Sequence, residues 1–281
     1  MTTRNRAGAG ALALGSLSDP YALATGSAAV RRLYVLHEIY SPVGRRVLLE
    51  AGLREGMRVA DFGCGVGAVT RMLADMVGPS GSVTGIDVNA SQLEQAEALC
   101  LGHGLANTSF VEASADDTGL PRDSYDLVYC RFLLLHLVDP AACLREMRAL
   151  LRPGGILVVE DGDLASATSE PPTALDAFAE LFGRFGSLRG LDYSLARRLV
   201  QLVTDAGFTE VQLETHQPAL ADATSRIFLK WSVEEAGPSF VGAGIISSDR
   251  LEQTLAEMQD AIEDPDVRIL APRMSLVWAR K

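Results

Sequence analysis

Three glycines at alternate positions, Gly63, Gly65 and Gly67, follow the apolar run Val59-Ala60-Asp61-Phe62, and an acid, Asp87, stands 20 residues beyond the last of them. Glycines at a strand-to-helix turn permit positive φ and let the backbone approach a ligand closely. The helix that follows offers N–H groups with no partner inside the helix. A carboxylate closing the next strand is placed to grip a ribose diol. The set therefore predicts a site for a nucleoside-containing ligand. The order is G-x-G-x-G, not the G-x-G-x-x-G of dinucleotide sites, and Asp61 directly precedes it. An acid at that strand end is unfavourable beside a pyrophosphate and favourable beside an ammonium group.

S-Adenosylmethionine has no phosphate and carries such an ammonium. At this point Asp61-Phe62-Gly63-Cys64-Gly65-Val66-Gly67 resembles the first motif of the class I S-adenosylmethionine-dependent methyltransferases. The resemblance is strong over Leu53 to Glu160 and looser outside it. Overall the chain is similar to the ubiquinone/menaquinone-biosynthesis and secondary-metabolite methyltransferase group, which spans O-, N- and C-methylation.

The resemblance implies S-adenosyl-L-methionine as cofactor and a set of residues to hold it. The turn of Gly63, Cys64, Gly65 and Gly67 would seat the methionine portion, Asp61 its ammonium, Asp87 the ribose, and Val88 the adenine face. Ala115 and Asp116, in the loop after the third strand, would meet the adenine edge, with Asp117 as the competing assignment. Arg131 follows the fourth strand and would contact the cofactor or hold its loop. His136, the only histidine beside the expected active edge, is the candidate general base. Arg152-Pro153-Gly154-Gly155 matches a turn of the family and marks fold, not catalysis. His37 and Tyr40 on an N-terminal helix, Tyr21 in the loop before it, and Asp161 after the fifth strand are candidates for the acceptor side. The plainer reading of His37 and Tyr40 is core packing, and that of Glu160, Asp161 and Asp163 is solvated or capping acids. No metal is expected, because the acids near the fifth strand are too loosely spaced for an octahedral oxygen set.

These residues need a scaffold, and the pattern supplies one. Alternating strand and helix signals predict an α/β, Rossmann-like sheet of seven strands, mostly parallel, with helices on both faces. Expected strands are Arg58 to Phe62, Ser82 to Ile86, Thr108 to Glu112, Tyr125 to Cys130, Ile156 to Glu160, Thr209 to Thr215 and Arg273 to Arg280. An antiparallel last strand is implied by the resemblance. Helices are expected over Ala68 to Val77, Ala90 to Gly102, Asp139 to Leu151 and Ser194 to Ala206. Two more, Ser27 to Tyr40 and Ser41 to Ala51, precede the first strand, the second opening on a Ser-Pro start signal. The domain reading is a flexible tail at 1–19, a helical cover at 20–52, and a methyltransferase domain at 53–281. Insertions at about 161–193 and 219–272 leave the ligand-binding edge and are read as a helical cap.

Composition narrows the partners. The chain has 281 residues, 48% of them hydrophobic and 22% charged, enough for one large domain or a domain with a cap. Its net charge of −11 and scattered basic residues argue against nucleic acid, which is recognised by basic patches. Four cysteines without metal-ligand spacing read as reduced, buried thiols of a cytoplasmic protein. No apolar run is long enough for a membrane span. The expected partner is a small-molecule acceptor, and the expected state a monomer or homodimer. The primary expectation is methyl transfer to that acceptor. The alternatives are a non-methylating reaction on the same fold, such as a cyclisation, and a cofactor-binding regulatory module.

Overall fold

The computed structural model describes residues 27–281, so the expected tail, Tyr21 and the start of the helical cover lie outside the described residues. Helix α1 (Ser27–Ala51) precedes a doubly wound core. That core runs β1 (Arg58–Phe62), α2 (Ala68–Val77), β2 (Ser82–Asp87), α3 (Ala90–Gly102), β3 (Thr108–Glu112), β4 (Tyr125–Arg131), α4 (Pro140–Leu150) and β5 (Leu151–Asp163). The chain continues through β6 (Thr168–Glu170), α5 (Ala177–Arg189), α6 (Leu199–Asp205), β7 (Thr209–His216), α7 (Ala223–Arg226), α8 (Phe228–Gly242), α9 (Ser248–Glu263), β8 (Arg268–Leu270) and β9 (Arg273–Arg280). The main sheet has seven strands in the order β3-β2-β1-β4-β5-β9-β7, and β9 is antiparallel to both of its neighbours.

Local chemistry explains the boundaries. Asn89 caps α3 by accepting from the Gln92 N–H, and Asp139 caps α4 by accepting from the Ala142 N–H, with Pro140 in the first turn where no N–H is needed. The central strands β1, β4 and β5 read as near-continuous apolar runs because helices cover both faces of the sheet.

Three expectations are corrected. The two N-terminal helices are one, with Pro42 inside it. The Ser41 hydroxyl does not open a helix. It donates to the His37 carbonyl one turn back at 2.5 Å, the back-bonding of a hydroxyl inside a helix. Strand β5 runs on to Asp163, because β9 pairs with it continuously from Ile156↔Arg280 to Asp163↔Arg273. Asp161 and Asp163 are therefore strand residues, and the first insertion leaves the sheet after them. The two insertions also join each other through β6 and β8, a short antiparallel pair with no clear pattern in the sequence.

The cover is fixed by packing and by one buried ion pair. Phe178, Phe182, Phe185, Tyr193 and Phe240 form a cluster of edge-to-face and tilted rings with centroids 4.8–5.6 Å apart. Arg32 on α1 donates through Nε to Glu235 on α8 at 2.6 Å, with both side chains buried. Removing one partner leaves a charge out of water without its counter-ion. Arg32→Ala is expected to destabilise the protein by about 3–5 kcal/mol, while Arg32→Met combined with Glu235→Leu should recover most of the loss. Denaturant unfolding of the three proteins checks this; equal stability of the single and double variants would show that the pair does not tie α1 to α8.

Candidate active site

All three motif glycines adopt left-handed backbone, with φ of 66° at Gly63, 53° at Gly65 and 81° at Gly67. Space is short as well. A Cβ on Gly63 would lie 2.9 Å from Leu133 Cδ1, and one on Gly67 would lie 2.7 Å from the Ala96 Cβ of α3. The turn thus brings bare backbone to the sheet edge. Cys64 is buried, its N–H bound to the Ile86 carbonyl at 3.0 Å, and burial pushes its thiol well up, so it is an inert filler.

Asp87 ends β2 and holds the turn. Its Oδ2 accepts from the Gly65 N–H and its Oδ1 from the Asn89 N–H, each at 2.9 Å. It does not cap α3, since Asn89 does. Val88, next along, is 67% exposed, an apolar face left to solvent beside the acid. After β3, Ser114 and Asp117 pair as an isolated bridge, and the Ser114 hydroxyl bonds the carboxylate of exposed Asp116. Ala115 is half-buried between them. A residue without a sequence signal anchors this loop: Glu146 of α4 accepts from both the N–H and the hydroxyl of Thr118, at 3.2 and 2.6 Å.

A second group lies beneath α1. Asp61 is buried and accepts from the Thr70 hydroxyl at 2.6 Å. Arg131 donates to His37 Nδ1 at 3.1 Å and to the Ser41 hydroxyl at 3.3 Å. It makes no ion pair among the described residues. Its cross-strand partner Glu160 is fully buried; its carboxyl oxygens and the Tyr129 hydroxyl make no hydrogen bond of normal geometry among the described residues, though the hydroxyl lies near enough to favour the carboxylate. Gly44 of α1 makes room for this carboxyl, since a Cβ there would lie 2.5 Å from Glu160 Oε1. Burial pushes Asp61 and Glu160 up to about 7, against the pull of Arg131 on both. Sequence reasoning left Glu160 among solvated acids because nothing in a strand pattern shows that a helix will lie across its end.

The other candidates are drawn into packing. His37 is pushed down to about 3 by burial and then by Arg131, so it is a neutral acceptor. Tyr40 is buried, donates to the Pro272 carbonyl at 2.8 Å, and meets Phe132 edge-on at 5.3 Å. Phe132 itself has φ of 52°, a strained conformation for a bulky residue, just past the end of β4. Asp161 is not a solvated acid. It is fully buried and accepts from the backbone N–H groups of Gly162 at 2.9 Å and Leu135 at 3.3 Å, which fixes the turn carrying His136. His136 stacks edge-on to Tyr193 at 5.6 Å, and burial pushes it down to about 3. A base that weak does not hold a proton at neutral pH. No group of residues suited to a metal ion occurs among the described residues.

Residues 53–189 match the family described as "Methyltransferase domain". Over these residues the chain carries a methyltransferase domain. A ubiquinone/menaquinone biosynthesis C-methyltransferase from Hahella chejuensis is 40% identical over 111 residues, 39% of this chain and 45% of the relative. The chain thus spans a little under half the length of that relative. Among solved structures, an S-adenosylmethionine-dependent methyltransferase from Aquifex aeolicus shares 24% identity, with a TM-score of 0.52 over 68% of this chain and 91% of the other. The [4+2]-cyclase SpnF shares 20% identity, with a TM-score of 0.54 over 92% and 98%. Both structures are alike in fold. No described helix is long and apolar enough to cross a membrane.

The raised carboxyls of this methyltransferase domain make a pH prediction. Asp61, Glu160 and Asp161 each hold a proton up to about 7 when folded, against about 4 in an unfolded chain. The native state then binds more protons than the unfolded state between those values. The stability they contribute is complete below about pH 4 and is lost as pH rises through 7. Unfolding free energy measured from pH 5 to 8 should fall with a shallower slope in Glu160→Gln than in the parent; identical slopes would mean that Glu160 ionises normally.

Proposed function

We propose that this chain transfers a methyl group from S-adenosylmethionine to a small organic acceptor, in quinone-like or specialised metabolism. The observation that carries the reading is the left-handed turn at Gly63, Gly65 and Gly67 with the Asp87 carboxylate bonded to its central N–H. When bound, the cofactor supplies an electrophilic methyl on a sulfonium, and the protein's part is to bind, orient and exclude water.

The residues present fit such a ligand. The left-handed turn presents bare backbone at the sheet edge, and the lone pairs of Asp87 not used by Gly65 and Asn89 are free to accept from a ribose diol. In this reading Val88 packs on the adenine face, while Ala115 and Asp116 meet its edge. The amino-acid end carries one charge of each sign. Arg131 is the half-buried cation for its carboxylate, and Asp61 and Glu160 are the buried acids for its ammonium. Asp61 already holds the Thr70 hydroxyl, whereas Glu160 makes no hydrogen bond of normal geometry, so in this reading Glu160 takes the larger share. His37 and Ser41 steady Arg131, and Tyr40 seats α1 over the site. His136 serves here as packing under the cover, not as the base. The relative's C-methylation in quinone biosynthesis makes reduced quinone-like aromatics the first acceptors to try.

Calorimetry with S-adenosylhomocysteine tests the cofactor site. The parent should bind and NAD should not compete. Asp87→Ala is expected to weaken binding by about 1–3 kcal/mol, the scale of lost charged hydrogen bonds; unchanged affinity would remove Asp87 from the ribose.

A second comparison isolates Glu160. Glu160→Gln should lose about tenfold in affinity for S-adenosylhomocysteine and little for 5′-methylthioadenosine, which lacks the amino-acid end. Equal losses for both ligands would make its role structural. Incubation with methyl-labelled cofactor and reduced quinones then separates the reactions: label in a new product supports transfer, and a rearranged product of unchanged methyl count supports the cyclisation alternative.

A further inference from the structure

A second polar site stands on the other face of the sheet. Side chains alternate along β5, so Asp163 faces away from α1, opposite to Glu160. It is buried, and its Oδ1 accepts from the Ser194 hydroxyl at 2.8 Å. Its Oδ2 accepts from Arg197 Nε at 2.7 Å and from one Nη of Arg273 at 3.2 Å. Both guanidinium groups are about half exposed. Together with Asp163 itself, Ala196, Leu213, Thr215 and Ser275 they border a hollow of about 170 Å³.

The charge balance there is unusual for this chain. Two guanidinium groups meet one carboxylate, leaving one net positive charge on a protein of net charge −11. The nearby Asp192 is paired with Arg198 at 2.8 Å, and Glu214 on β7 points to the opposite face, where it bonds Arg46. Arg197 spends only its Nε and Arg273 only one Nη, so their other N–H groups have no hydrogen-bond partner among the described residues; neither does the Thr215 hydroxyl. The Ser275 hydroxyl is spent on the Ala196 carbonyl. Asp163 lines the hollow too, but both of its oxygens already accept from donors, and the two guanidinium groups outnumber its single charge.

The donors are held in place. Arg273 is fixed by its ladder position opposite Asp163 and by its own N–H, which donates to the Ser166 hydroxyl at 2.7 Å. Arg197 is fixed by the 195–198 turn. The volume lies below the roughly 300 Å³ at which pockets for drug-sized ligands begin, which excludes a nucleotide and suits a small anion. Converging arginine forks are the preferred receptor for oxyanions.

We propose that this hollow is a binding site for a small oxyanion, a phosphate or carboxylate group, held by Arg197, Arg273 and Thr215. Its place in the chain gives it a consequence. Asp163 is the residue after which the first insertion leaves the sheet, Arg197 follows that insertion's return, and Arg273 stands where the second insertion rejoins. An anion across the two arginines braces the roots of the cover. The site is separate from the glycine turn, so it stands or falls independently of the methyltransferase reading.

The test titrates the full chain with inorganic phosphate, and in a second arm with acetate, at ionic strength held constant with sodium chloride. Calorimetry should show one saturable phosphate site, and the melting temperature should rise with the logarithm of phosphate concentration. Arg197→Gln and Arg273→Gln should each weaken phosphate binding by about tenfold, with affinity for S-adenosylhomocysteine unchanged. Thr215→Val leaves the Asp163 ion triad intact and should weaken phosphate roughly fivefold, so the outcome does not depend on the arginine variants folding. Saturable acetate binding at the same residues assigns the site to carboxylates as well as phosphate; its absence restricts it to phosphate. No saturation above the chloride control, or equal affinity in the parent and Thr215→Val with either arginine variant, would overturn the proposal.

Discussion

The structure depends on one row of backbone register. Parallel pairing sets Ile86, Phe62, Cys130 and Val159 side by side on β2, β1, β4 and β5. The next level up is Asp87, Gly63, Arg131 and Glu160. The acid that holds the glycine turn, the first turn glycine, the cation and the buried Glu160 carboxyl therefore stand at one height on one edge of the sheet. A slip of one residue in any strand would turn its side chain to the other face and break the row. Buried apolar faces on both sides of β1, β4 and β5 oppose such a slip, so the hydrophobic pattern that forms the sheet also aligns the site.

The long helix laid across that row turns alignment into chemistry. It supplies His37 and Ser41 to Arg131, Tyr40 to the Pro272 carbonyl, and at Gly44 the space for Glu160. Burying a carboxyl without a well-formed hydrogen bond opposes folding, and this domain does so at Glu160, on the edge of the sheet that carries the glycine turn. Such a protonated acid there is costly in the free protein and becomes favourable once a cation arrives. Stability given up at this position is the expected mark of a binding surface, and the strained Phe132 backbone next to it has the same character.

The cover is built differently. Its aromatic rings pack by shape, and its ties to the rest are few: the Arg32–Glu235 pair to α1 and the cluster of Asp163, Ser194, Arg197 and Arg273 at the roots of both insertions. Within the cover, Arg226 donates to the carbonyls of Ala261, Ile262, Asp264 and Val267, which closes the end of α9. The cover is thus fixed at discrete polar points around an apolar interior.

What the sequence determined by itself was local and periodic. Strands β1, β3 and β9 and helices α2 and α3 follow directly from apolar period and capping residues, and the glycine turn with Asp87 follows from spacing, because each depends on neighbours close in the chain. Only tertiary structure decided the rest. Whether Ser41-Pro42 starts a helix or sits within one depended on the core packed against α1 on both sides of the proline, at Leu36 and Tyr40 and at Val47 and Leu48. Whether Asp161 and Asp163 were loop acids or strand residues depended on β9, more than a hundred residues away. The environments of His136 and Glu160 were likewise beyond the reach of local sequence. Burial sets the basicity of each, pushing the histidine down and the carboxyl up. Burial is a property of the assembled layers, which no single stretch of chain contains.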